Sequence, residues 1–219
     1  HSLRRRQRQM CIRDRVNGEA IKKPEYKVDA EQDQVEFDHK LIQFEQFHYL
    51  MLHKPQVVVS ATKNHHDQTV LDLIHEDYKD RLFPVGRLDK DTEGLLVLTD
   101  DGALNHRLLA PGKHVPKTYY AKIDGTVTEQ EVTRFAKGLE IGEKKPTAPA
   151  ILEILHSAEQ SEIHVTITEG KFHQIKRMFH AVGMEVLYLK RLSMGTLQLD
   201  ETLAPGAWRE LTADEIQHL

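Results

Sequence analysis

The stretch from residue 86 to residue 102, GRLDKDTEGLLVLTDDG, constrains the fold more than any other part of the chain. Residues 94–98 are apolar without a break and sit between acidic turns, so they read as a buried strand. Asp89, Asp91 and Glu93 crowd the loop that leads into it, and Asp100-Asp101-Gly102 closes it. A strand so dry with carboxylates so close invites the question of what those carboxylates do.

The flanking segments supply both kinds of secondary structure. Residues 47–52, 57–61, 117–123, 150–155, 162–168 and 185–189 read as strands, with Pro55 separating the first two. Helices are predicted over 69–78, 103–109 and 172–182, the last carrying Ile175, Met178, Phe179 and Val182 at helical spacing. Two capping boxes, Thr128 with Glu131 and Thr212 with Glu215, open further helices, the first ending at Gly138. Hairpin-like neighbours outnumber regular strand–helix alternation, which makes α+β the class.

A length of 219 residues suits one large domain with a small companion. Residues 44–219 form the large domain. Residues 16–43, with a turn at Asn17-Gly18 and a strand about Val35 and Phe37, hold too few large apolar residues to fold alone. Residues 1–15 (HSLRRRQRQMCIRDR) are expected to be non-native or disordered. That segment holds six arginines against one aspartate, so a formal charge of −4 for the whole chain leaves −9 on the rest.

An acidic body excludes indiscriminate binding of polyanions, which depends on neutralising phosphates. Distribution overrides the total in two places. Residues 103–122 contain Arg107, Lys113, Lys117 and Lys122 with no acid, and residues 164–191 interleave Lys171, Lys176, Arg177, Lys190 and Arg191 with Phe172, Phe179 and Tyr188. Both are candidates for a phosphate-facing surface. No apolar run approaches the roughly 20 residues of a membrane span. The single cysteine, Cys11, cannot make an internal disulfide, and the expected compartment is the reducing cytoplasm.

Two chemical readings of the acidic loop compete. Asp89, Asp91, Glu93, Gly94 and Asp100 stand at positions 1, 3, 5, 6 and 12 of a calcium loop, but Pro84 and Gly86 occupy the place of the entering helix. In the other reading one carboxylate, Asp89, serves as nucleophile or acid–base group, with the permanent charge of Arg87 close by. A two-carboxylate glycosidase is less natural, because Asp89 and Asp91 are only two residues apart.

The 86–102 block, then PKTYYAKIDG (116–125), then EGKFHQIKRMFHAVGMEVLYLKRLSMGTLQL (169–199), closely resemble in order the RsuA-type ribosomal RNA pseudouridine synthases. The resemblance runs over residues 47–216 and includes the tail LAPGAWRELTADEI. It implies a mixed, mainly antiparallel central sheet flanked by helices. The implied reaction is isomerisation of uridine to pseudouridine without metal or other cofactor. The catalytic set it implies is Asp89, which acts on the ribose, Tyr119, which stacks on the flipped base, and Lys176, which pairs with Asp89. Arg87 would support base extrusion, Leu192 would pack on the uracil, and Lys117, Lys171, Gln174 and Arg177 would contact substrate. His173 is expected to be a surface or supporting histidine.

The implied partner is ribosomal RNA, most naturally 16S, or a small-subunit assembly particle, bound by a monomer. Activity on 23S rRNA and a non-catalytic role in ribosome assembly are the alternatives. Two departures from the family stand out. Where members usually read Asn-Lys-Pro-x-Gly, this chain has His53-Lys54-Pro55-Gln56-Val57. Members often begin with a small S4 RNA-binding domain, of which only trailing strands within 16–38 are recognisable, so weakened RNA capture is expected.

Overall fold

The computed structural model describes residues 14–21, 26–29, 33–38, 40–42 and 47–219. The chain divides into two compact units at residues 46 and 47. Most of the basic segment at 1–15 lies outside the described residues. In the first unit, β1 (Asp14–Val16), β2 (Glu19–Ala20), β3 (Val35–Phe37) and β4 (Lys40–Ile42) form an antiparallel sheet in the order β2-β1-β3-β4. The Asn17-Gly18 turn joins the first hairpin, with both residues at positive φ.

The second unit is built on one mixed sheet. Its strands are β5 (Tyr49–Lys54), β6 (Phe83–Pro84), β7 (Glu93–Thr99), β8 (Lys117–Asp124), β9 (Ile151–His156), β10 (Gln160–Ile167), β11 (Glu185–Met194), β12 (Leu197–Gln198) and β13 (Trp208–Glu210). The order is β13-β5-β7-β11-β8-β10-β9, with β6 on β7 and β12 on β11. Every pairing is antiparallel except β7 with β11. The helices are α1 (Gly102–Leu109), α2 (Glu129–Lys137), α3 (Gln174–Ala181) and α4 (Ala213–Gln217). Among the described residues no helix is long and apolar enough to cross a membrane.

The unbroken apolar run of β7 now has its explanation. Leu96 and Leu98 point into one core, shared with α2 and α3 through Phe135, Ile175, Met178 and Phe179. Leu95 and Val97 point into a second core with Leu104 and Leu108 of α1. Strand β7 is therefore covered on both faces, and the period-2 alternation divides its side chains between two cores. Gly94 opens the strand where it meets β11 in parallel register with Arg191. Its φ is +109°, and a Cβ there would lie 2.3 Å from the Arg191 carbonyl oxygen.

Both capping-box helices form as expected, with Thr128 and Thr212 as N-caps. Two predicted elements do not. Residues 57–61 are not a strand: Val57 takes a left-handed φ of +65°, and Val59 makes only a lone bridge to Thr69. Residues 69–78 are not one long helix but a 3₁₀ turn, Val70–Leu73, capped by the pair Thr69 and Asp72. Ile74 follows in extended conformation and is fully buried, so burial of its side chain overrides helix continuation. The predicted 185–189 strand extends to Met194 because Arg191, Ser193 and Met194 all find cover.

Candidate active site

The loop carrying Asp89 runs from β6 to β7 and is pinned from the 54–60 segment. Ser60 clamps Leu88 twice, its hydroxyl donating to the Leu88 carbonyl at 2.8 Å and accepting from the Leu88 N–H at 3.0 Å. Val57 N–H donates to the Lys90 carbonyl at 2.8 Å. Thr92 N–H closes a turn on the Asp89 carbonyl. The fully buried Lys54 ammonium donates to the carbonyls of Thr92 (2.8 Å), Pro55 (2.9 Å) and Lys90 (3.4 Å). Lys54 is thus a fastener beneath the acidic loop.

Burial pushes the Lys54 amine down to about 8, against the opposite pull of Asp91, Asp89 and Glu93. Its folded pKa lies below its unfolded one, so from about pH 8 to about 10.5 the unfolded chain binds more protons. Stability contributed by Lys54 therefore rises with pH through that window, by up to about 3 kcal/mol. Urea unfolding of the wild type and Lys54→Met from pH 7 to 10.5 should show their difference shifting in the wild type's favour as pH rises. A flat difference would count against this account.

The turn at Val57 is strained. Val57, β-branched and at φ +65°, bears a cost of about 1–2 kcal/mol, partly offset by the entropy a glycine would lose. Val57→Gly should stabilise the protein by about 1 kcal/mol, read as a higher urea midpoint. His53 donates from Nδ1 to the Leu203 carbonyl at 2.6 Å and faces Glu93 with Nε2 at 3.1 Å. Glu93 thereby holds the head of β7 to β5.

Helix α3 brings the opposing charge. Its buried side is Ile175, Met178 and Phe179, which leaves Lys176 facing the acidic loop. Lys176 Nζ lies 3.1 Å from Asp89 Oδ2 and 2.5 Å from Asp91 Oδ1. Burial alone would lower the Lys176 pKa, but the hydrogen bonds to Asp91 and Asp89 carry it above its ordinary value. Burial would raise Asp91, and the Lys176 hydrogen bond and charge hold it below. The partner expected from the resemblance is in place, with Asp91 as an unexpected third member.

Two connected hollows meet at Asp89. The outer one, about 810 Å³, is lined by Val57, Arg87, Asp89, Asp91, Phe172 and Lys176 among others. The inner one, about 90 Å³, is lined by Asp89, Thr92, Tyr119, Ile167, Leu189 and Lys176 among others. Asp89 borders both, whereas Asp91 borders only the outer. Tyr119 is nearly buried on β8, and Tyr120 points to the opposite sheet face, edge-on to His164 and Tyr188.

The remaining expected residues divide. Arg87, Lys171 and Gln174 line the inner hollow. Arg87 is not ion-paired with Asp89; the side chains that face this carboxylate are Lys176 and His173, the latter with Nε2 at 3.6 Å. Lys117 donates to the Val115 carbonyl, Arg177 pairs with Glu143, and Leu192 is half-buried; none of the three lines either hollow. The apolar residue that β11 offers the inner hollow is Leu189. Lys54 and Ser60 carried no readable role in the sequence, and Asp91 only that of a calcium or glycosidase carboxylate, because each acts through a partner fixed only by the fold.

The calcium reading fails on geometry. The five positions do not converge: Asp89 and Asp91 face Lys176, Glu93 faces His53, and Asp100 faces His48. Among the described residues no cluster of three or more His, Cys, Asp or Glu could hold a metal ion.

Asp89, its partner Lys176 and the buried Tyr119 thus border one cleft on the mixed sheet. The model of the RNA pseudouridylate synthase family matches residues 48–181, and the chain belongs to that family. It is an RNA pseudouridine synthase. Among its relatives is the "Uncharacterized RNA pseudouridine synthase YtzG" of Bacillus subtilis (strain 168), 46% identical over 206 residues, 93% of this chain and 86% of the relative. "Ribosomal small subunit pseudouridine synthase A" of Escherichia coli (strain K12) is 40% identical over 202 residues, 92% of this chain and 86% of the relative. A crystal structure described as a pseudouridylate synthase superposes with a TM-score of 0.75 at 38% identity, covering 97% of this chain and 90% of that one.

Proposed function

We propose that this enzyme isomerises one uridine of 16S rRNA, in a small-subunit assembly particle, and does so as a cytoplasmic monomer. The subunit rests on the relative named for the small ribosomal subunit. The chemistry rests on one observation: Asp89 borders the same inner hollow as Tyr119 while held 3.1 Å from Lys176. The target base leaves its stack and enters that hollow, at a cost of a few kcal/mol repaid by contacts within. Asp89 then acts on the ribose as the C1′–N1 bond breaks: as nucleophile it forms an ester at C1′ that is expelled when C5 bonds there, and as base it takes the C2′ proton and returns it in that same step. The uracil turns, C5 bonds to C1′, the C5 proton is lost, and N1 gains a proton. Atoms and electrons balance within the nucleotide.

Lys176, 3.1 Å away, pairs with this carboxylate and orients it toward the ribose. Tyr119 stacks on the uracil and assists proton removal at C5. Arg87 lies at both hollows and supports base extrusion or the phosphate beside it. Lys171, just before α3, and Gln174, at its first residue, contact substrate, whereas Leu192, Lys117 and Arg177 are given no contact with the flipped base. The first unit, with four short strands, is what we assign to an S4-like module. The test is carbodiimide adduct mapping by primer extension on unmodified small-subunit particles and on 23S rRNA. One new stop in 16S rRNA is expected; a stop only in 23S rRNA would move the target, and none in either would overturn the reading.

A further inference from the structure

Phe172 is 74% exposed, yet its ring is held in place. His173 stacks on one face, with centroids 3.8 Å apart and planes 17° from parallel. His173 takes a left-handed φ of +49° at the N-cap of α3, a conformation that non-glycine residues keep only when the surroundings enforce it. Arg177 enforces part of it, donating to the Phe172 carbonyl at 3.1 Å while bonded to Glu143 and to the Ile141 carbonyl. The N–H of Lys171, just before the stack, donates to Gln174 Oε1 at 2.9 Å.

A lone exposed phenylalanine is ordinary. This one borders the outer hollow together with Asp89, and its stacking partner His173 reaches to 3.6 Å from Asp89. Lys171, Lys90, Arg87 and Lys176 line the same hollow beside Asp89 and Asp91, so its lining carries more positive than negative charge. An aromatic face backed by a second ring, at a hollow whose lining is net positive, suits an unstacked nucleobase, the form in which RNA bases are held on proteins.

We propose that the exposed face of Phe172 is a stacking site for an unpaired base next to the target uridine, with His173 as its backing plate. The proposal rests on reading the inner hollow as the uridine pocket. It makes the enzyme selective for uridines whose neighbour can leave the helix, and it separates holding the RNA from the chemistry at Asp89.

The test measures binding and single-turnover pseudouridine formation separately, on a 16S rRNA fragment spanning the mapped uridine, with the full chain. Phe172→Ala and Phe172→Leu should weaken binding about 5- to 150-fold, leaving the rate at saturating enzyme within a few-fold, while Phe172→Trp binds as the wild type does. An abasic nucleotide at one flanking position should weaken the wild type and leave Phe172→Ala unaffected. Restoration by Leu, unaltered binding of Phe172→Ala, or no flanking position sensitive to the substitution overturns the proposal. Binding is scored without turnover, so a wild type that binds and stacks but forms no pseudouridine refutes the reading of the pocket alone. A wild type that binds neither ribosomal RNA refutes both.

Discussion

Asp89→Asn will lower pseudouridine formation by at least about 10³-fold while leaving the fold intact. The amide keeps the size of the carboxylate and removes its charge and basicity. Lys176 is not stranded by the change, because Asp91 remains its partner at 2.5 Å. Loss of thermal stability should therefore stay within about 1 kcal/mol, the range of partly exposed ion pairs. Asp91→Asn is the informative companion: Asp91 touches Lys176 but does not border the inner hollow, so activity should fall less than about 10-fold. Tritium release from uridine-labelled 16S rRNA, with thermal unfolding of the same preparations, reads both. Equal inactivity of the two variants would mean that the pair, and not Asp89 alone, carries the chemistry.

Gly94→Ala should have the largest effect on stability. The new methyl would lie 2.3 Å from the carbonyl oxygen and 2.6 Å from the amide nitrogen of Arg191, backbone atoms that cannot swing aside. The φ of +109° adds strain for any residue with a Cβ. The one parallel pairing of the sheet would have to part, with a loss of about 4 kcal/mol or more and a drop in Tm of about 8–16 °C. Gly102→Ala is the matched control, since a Cβ there meets nothing within 4 Å. Equal melting temperatures for the two variants would refute the steric account.

What the sequence made legible follows from how local each signal is. The run at 94–98, the capping boxes at Thr128 and Thr212, and the apolar spacing of α3 each depend on neighbours a few residues away, and each yields the element expected. The segments at 57–61 and 69–78 are decided by distant partners: Lys90 takes the Val57 N–H, and the core claims Ile74. The site divides in the same way. Asp89, Tyr119 and Lys176 were readable through three matching blocks, and the fold brings them to one hollow. Lys54 was not, because a lysine bonded to three carbonyls looks no different in sequence from a solvated one. Leu192 and Leu189 are three apart on β11, and which of them reaches the hollow depends on bulges in its pairing with β8 that no local pattern announces.

The order of the sheet also governs how the enzyme comes into being. Strand β13, near the end of the chain, pairs with β5, the first strand of its unit, and β7 waits for β11. At translation rates of about 5–20 residues per second, Lys176 follows Asp89 out of the ribosome by roughly 4 to 17 seconds. Through that interval the nascent chain holds Asp89 without its counter-charge and two unpaired strand edges that invite aggregation. A fragment that ends before α3 lacks both the counter-charge of Asp89 and the Leu189 wall of the inner hollow, so the site is assembled only after β11 has been made.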